Sequence, residues 1–145
     1  MPQKDQKIDA NWTLLFLCWL LASVSALGSL FFSQVMDFSP CNLCWYQRIC
    51  LFPLVIILAL GLFPFDKKAV KFALPLAIAG LLTAFYHNLL YAGIIPEILR
   101  PCSKGVSCTE KYIDLFGFLT IPMLSFLSFF MISAILLVLK RRTSR

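Results

Sequence analysis

Four stretches of this chain carry no Asp, Glu, Lys or Arg: Ala10 to Met36, Ile49 to Phe65, Phe72 to Pro96 and Leu115 to Leu139. A hydrocarbon layer about 30 Å thick calls for a helix of roughly 17 to 25 apolar residues. Inside that layer each backbone N–H and C=O has to be satisfied within its own segment. Each stretch can supply one such helix. The chain is therefore expected to be an all-α membrane protein. It reads as a single four-helix transmembrane domain over residues 1–145, with spans near 12–33, 46–64, 71–92 and 115–139. A composition of 60% hydrophobic and 14% charged residues argues against a soluble globule of this length.

Positive charge is unevenly shared between the two ends of such a bundle, and cytoplasmic loops retain Lys and Arg. Lys4, Lys7, Lys67, Lys68, Lys71, Lys140, Arg141, Arg142 and Arg145 fall on one side. Arg48, Arg100, Lys104 and Lys111 fall on the other, balanced by Asp37, Glu97, Glu110 and Asp114. Both termini are thus expected in the cytoplasm, with two extracytoplasmic loops near residues 34–44 and 92–114. The formal charge of +6 reads as an orientation signal and an attraction to anionic lipid headgroups, with no case for nucleic acid. Val24-Ser25-Ala26 would suit signal-peptide cleavage, but the apolar run continues through Phe32, so cleavage is not expected. Ala22, Ala26, Ser29 and Ser33 share one face of the first span, and Gly80 and Ala84 lie four apart on the third, a pattern that permits close helix packing. Pro53, Pro75 and Pro122 are expected inside helices, as kinks.

The topology sorts the six cysteines. Cys18 and Cys50 lie within spans and read as small buried apolar residues. Cys41, Cys44, Cys102 and Cys108 lie at or beyond the outer surface, where disulfides persist. Cys41-Asn42-Leu43-Cys44 opens the second span, with Ser39 placed to cap it and Pro40 as an early helical residue. A helix N-terminus and a nearby cation both favour the thiolate, the attacking form of a cysteine. Arg48, four residues after Cys44 and seven after Cys41, falls on the same helical stripe. Three residues of helix set Cys44 about one turn deeper than Cys41. Cys41 is thus expected to face water, and Cys44 an oxidant dissolved in lipid. Cys102 and Cys108 bracket a five-residue polar segment containing Gly105, long enough with its flanks to swing toward Cys41. Competing readings are disulfides that only brace loops in a non-enzymatic four-span protein, and a zinc site of four thiolates. An oxidising compartment favours paired thiols over the metal.

A relay of disulfides needs a terminal electron acceptor. The chain has no GxGxxG for a nucleotide, no CxxCH for haem and no iron-sulfur cysteine run. A membrane quinone, apolar and able to take two electrons, fits. Arg48 and His87, the only histidine, fall at similar depth near the outer ends of the second and third spans. Arg48 can stabilise an anionic quinone or a thiolate adduct, and His87 can hydrogen-bond a quinone oxygen or deliver protons.

The cysteine-arginine pattern Cys41 to Arg48, the Tyr86-His87 pair, and Pro101-Cys102 to Cys108 followed by Gly117-Phe118-Leu119-Thr120-Ile121-Pro122 together resemble the bacterial disulfide bond formation protein B family, DsbB, and in particular its short BdbC-like members. The resemblance covers nearly the whole chain. It implies an oxidase of the bacterial cytoplasmic (inner) membrane that reoxidises a thioredoxin-fold, DsbA-like disulfide donor and passes the electrons to ubiquinone or menaquinone. By the same resemblance Cys102 would form the mixed disulfide with the partner and Cys108 would leave. Cys41 would exchange with that pair, and Cys44 would contact the quinone beside Arg48. The best-known members separate their second cysteine pair by a much longer loop. The nearest rival enzyme is a vitamin K epoxide reductase-like oxidoreductase, whose CxxC typically follows other cysteines late in the chain.

Overall fold

The computed structural model of the chain describes residues 2–37, 39–99 and 120–145. Four long helices account for most of them: α1 (Pro2–Gln34), α2 (Asn42–Leu62), α3 (Lys67–Tyr91) and α4 (Ile121–Ser144). A 3-10 turn, Glu97–Leu99, lies between α3 and α4. All four helices contain segments long and apolar enough to cross a membrane. The molecule is an all-α membrane protein built as a four-helix bundle.

Each helix packs against its neighbours in chain order, and α1 closes the ring against α4. Among the described residues neither diagonal pair of helices touches. The fully buried centre is aliphatic and includes Leu15, Leu54, Leu58, Ile132, Leu136 and Leu139. The outer faces are apolar as well, with Ile56, Leu60, Phe72 and Leu82 exposed. A helix apolar all round belongs where lipid replaces water on its outside.

Small residues set the approach of the helices. A methyl group added at Gly80 of α3 would overlap the ring of Phe129 on α4, and one at Gly61 would overlap Ala69 across the turn from α2 to α3. Ala22 and Ala84 are fully buried, so small residues on the first and third spans do lie at helix contacts. Few polar bonds join the helices. Trp12 Nε1 donates to Leu62 O at 3.3 Å, tying α1 to the end of α2. Asn88 Nδ2 donates to Pro122 O at 2.9 Å and to Ala84 O at 2.8 Å, fixing the start of α4 against the end of α3.

Pro53 and Pro75 lie inside α2 and α3 as expected, but Pro122 does not interrupt its helix. It occupies the first turn of α4, where its missing N–H deprives no carbonyl of a partner. Asp66 caps α3 by accepting the Lys68 backbone N–H at 2.9 Å.

Candidate active site

Helix α2 begins with a sulfur as its cap. Cys41 is extended, with φ −73° and ψ 167°, and its Sγ accepts the backbone N–H of Cys44 at 3.4 Å. The expectation that Ser39 caps this helix with Pro40 inside it is therefore corrected. The helix starts two residues later, and the cap is the cysteine itself. An N-cap accepts backbone N–H groups that have no carbonyl partner, so the position favours a sulfur that carries negative charge.

Cys41 Sγ and Cys44 Sγ lie 2.9 Å apart, one turn of helix bringing the first sulfur over the second. Closing them to a disulfide moves them by under about 1 Å. The Cys41 thiol is held well below the ordinary thiol range, first by the hydrogen bond from the Cys44 side chain. The ring of His87 and the backbone N–H of Cys44 act in the same direction, against burial. Cys41 is accordingly the sulfur that carries charge in the reduced pair.

His87 comes from α3, one turn before its end, and is 3% exposed. Its Nε2 is 3.9 Å from Cys41 Sγ, and its Nδ1 is 3.3 Å from Gln47 Nε2. Arg48 is 7% exposed and bonds twice to one residue of α1: Nε donates to Ser29 Oγ and Nη2 to Ser29 O, both at 2.7 Å. Its guanidinium carbon also sits 5.6 Å from the centre of the Trp45 ring. Among the described residues this buried cation is thus held by a hydroxyl, a carbonyl and an aromatic face.

These groups meet at one cavity of about 530 Å³. Gly28 and Ser29 of α1 and Ser125 and Ser128 of α4 form facing walls, and Cys41, Cys44, Gln47 and Arg48 line it from α2. His87 reaches it from α3. Its surface is mostly carbon, with polar side chains from all four helices among the lining. Such a space suits a flat, apolar molecule carrying a few hydrogen-bond acceptors. The Ser25 and Ser128 hydroxyls bond across the α1–α4 seam at 2.5 Å.

Four of the six site residues expected from the sequence, Cys41, Cys44, Arg48 and His87, are therefore brought together. The other two, Cys102 and Cys108, lie outside the described residues. One expectation fails: Cys41 is 6% exposed and Cys44 is the more accessible of the two. Cys41 does lie one turn before Cys44, at the N-terminal end of α2. However, Leu43, Leu90, Tyr86 and Ile95 pack around it, and although both sulfurs line the cavity Cys44 is the less covered. Cys18 is fully buried and Cys50 partly so, both within the apolar cluster. Two residues were missed. Ser29 was read only as a packing residue, and Gln47, an amide next to Arg48 in a largely apolar helix, carried the available signal.

The profile of the family described as "Disulfide bond formation protein DsbB" matches residues 11–139. The chain belongs to the DsbB family. It is similar to a probable disulfide formation protein of Metapseudomonas resinovorans, at 43% identity over 140 residues, covering 96% of this chain and 97% of the other. It is also similar to disulfide bond formation protein C of Bacillus subtilis strain 168, at 41% identity over 132 residues, covering 90% and 94%. A probable disulfide formation protein of Coxiella burnetii is 40% identical over 132 residues, covering 86% and 88%. No solved structure matches significantly. This DsbB-family chain is a multi-pass membrane disulfide oxidoreductase that acts in disulfide bond formation, and the paired sulfurs of Cys41 and Cys44 suit that chemistry.

Proposed function

We propose that the protein reoxidises a separate thioredoxin-fold, DsbA-like disulfide donor and delivers the electrons to a membrane quinone, ubiquinone or menaquinone. The observation that carries this reading is that Cys44 and Arg48 line one apolar cavity between α1 and α4. The residues fit such an acceptor: carbon walls for the ring, the guanidinium of Arg48 for its oxygen, and a thiol pair in the same lining. A bound quinone supplies a sink for two electrons and two protons, becoming the quinol.

The chain's own part divides among the residues. A partner dithiol reduces the Cys102–Cys108 disulfide, and the resulting loop dithiol then reduces the Cys41–Cys44 disulfide, each exchange breaking one S–S bond and making another. Cys41 takes the exchange with the loop pair and holds the resulting charge as thiolate at the helix N-cap. Cys44 faces the acceptor. When the S–S bond of Cys41 and Cys44 re-forms, two electrons and two protons leave the pair. Arg48, held by Ser29, stabilises negative charge in the cavity as it develops. His87 holds or moves a proton at Nε2 beside Cys41. The cover over Cys41 has to open before a loop cysteine reaches it, so exchange includes a movement around Tyr86 and Ile95. The charge distribution supports cytoplasmic termini and cysteines on the extracytoplasmic face of a bacterial inner membrane.

Quinone reduction by a reduced thioredoxin-fold partner, followed in membranes, tests this reading. Cys44→Ser is expected to abolish turnover, and undiminished turnover contradicts the assignment. Arg48→Ala is expected to raise the apparent KM for quinone more than tenfold. An unaltered KM and rate would put the acceptor elsewhere.

A further inference from the structure

We propose that the reduced Cys41–Cys44 pair, together with His87, forms a binding site for a soft monovalent d10 cation, Cu(I) or its redox-inert analogue Ag(I), and that occupancy arrests the protein as the dithiol. The inference goes beyond the proposed electron route and needs neither a quinone nor a partner protein.

Geometry supplies the first reason. Cys41 Sγ, Cys44 Sγ and His87 Nε2 all lie within 4.8 Å of one another. Metal–sulfur and metal–nitrogen bonds of about 2.0 to 2.3 Å set ligand atoms roughly 3.5 to 4 Å apart around a shared ion. The Cys41–His87 separation of 3.9 Å already meets this, and the sulfur pair at 2.9 Å has to open by about 1 Å. Cys44, at the start of α2 and facing the cavity, has space to do so. Two thiolates and an imidazole are a ligand set that soft cations prefer.

Charge selects the valence. Two thiolates with a monovalent ion leave a cluster of net −1 on the same helix stripe and cavity wall as the Arg48 cation. A divalent ion leaves a neutral cluster and an uncompensated guanidinium, a costly arrangement away from water. No electron moves on binding. The Cys41 thiolate and the Cys44 sulfur each form a bond to the ion, and the Cys44 thiol proton leaves to solvent. The ring proton shifts from Nε2 to Nδ1 so that Nε2 can ligate. Gln47, whose amide nitrogen faces Nδ1 before binding, follows the shift by turning its amide so that Oε1 accepts the Nδ1 proton. In the oxidised protein the S–S bond removes both thiolates and with them the site.

The test uses the full chain in detergent with Cys102→Ser and Cys108→Ser, reduced, under anaerobic conditions. Cu(I) is titrated against a chromophoric Cu(I) chelator. We expect one ion per chain that is lost when Cys41 and Cys44 are oxidised or when Cys41→Ser is added. We expect His87→Gln to weaken binding at least tenfold and to remove the nitrogen neighbour from the copper X-ray absorption spectrum. Equal uptake by the oxidised chain, or uptake untouched by Cys41→Ser, overturns the proposal, as does an unchanged nitrogen signal in His87→Gln. The oxidised control is the same folded polypeptide, so a folding defect in a variant cannot imitate the result.

Discussion

Gln47 of α2 and His87 of α3 meet at 3.3 Å, with the amide nitrogen of the glutamine facing Nδ1 of the ring. An amide nitrogen only donates, so Nδ1 accepts and the ring proton sits on Nε2, which points to the Cys41 sulfur at 3.9 Å. Forty residues apart in sequence, the two side chains thus settle which atom of the imidazole faces the sulfur. Gln47→Met removes that constraint while keeping the length of the side chain. Alkylation of reduced Cys41 by iodoacetamide is expected to shift its midpoint upward by about one pH unit, the equivalent of one hydrogen bond to a thiolate. A midpoint that stays in place would mean that the glutamine does not orient the ring.

The same assay in the parent protein has a defined pH dependence. The Cys41 thiol is lowered chiefly by the Cys44 hydrogen bond. Its thiolate therefore persists at neutral pH and is lost only as pH falls through the lowered pKa, well below the ordinary value near 8.5. Alkylation should be nearly flat from pH 8 down to about 6. Cys44→Ala removes the largest cause, so the curve should move toward ordinary thiol behaviour and lose most of its rate at pH 6. A parent profile already centred near 8.5 would contradict the N-cap assignment.

These relationships separate what the sequence could reveal from what it could not. The four helices were legible because an uninterrupted charge-free stretch has few other ways to satisfy its backbone in lipid. The Cys41, Cys44 and Arg48 stripe was legible because it lies on one helix, where spacing fixes direction. Gln47–His87 and Arg48–Ser29 are contacts between helices, and nothing in local spacing encodes which faces will meet. The burial of Cys41 was misread for a related reason. Axial depth follows from the 1.5 Å rise per residue, whereas cover depends on where Leu90, in the last turn of α3, and Ile95, beyond it, come to lie. The cavity is a property of the α1–α4 seam, formed by the two helices farthest apart in the chain.

Ser29 holds Arg48 through both its hydroxyl and its carbonyl, and only the first depends on the side chain. Ser29→Ala leaves the Nη2 bond intact and frees Nε to move. Losing one charge-assisted hydrogen bond is worth about 1.5 kcal/mol, or roughly a tenfold change. The apparent KM for quinone is expected to rise by about that factor, with less effect on the rate at saturation. Cys41 alkylation should not change, since Ser29 touches neither sulfur nor His87 in the described contacts. If Ser29→Ala instead slowed saturated turnover with KM constant, Arg48 would be acting on the reacting atoms without holding the acceptor.

Gly28 lines the cavity, and a Cβ built there meets nothing within 4 Å. Its absent side chain therefore leaves open space on the α1 wall and is not required by close helix packing. Gly28→Leu projects four carbons into that space, in a helix that tolerates leucine better than glycine. Thermal stability in detergent should hold or rise. Quinone reduction should fall at least tenfold through KM, while disulfide exchange between the reduced partner and the protein, measured in a single turnover without quinone, should be unaffected. That combination distinguishes a blocked acceptor site from a damaged fold, because a distorted bundle would lose both the exchange step and stability. Full quinone activity in Gly28→Leu would show that the acceptor does not occupy the α1–α4 cavity, leaving Cys44 to meet it from another side.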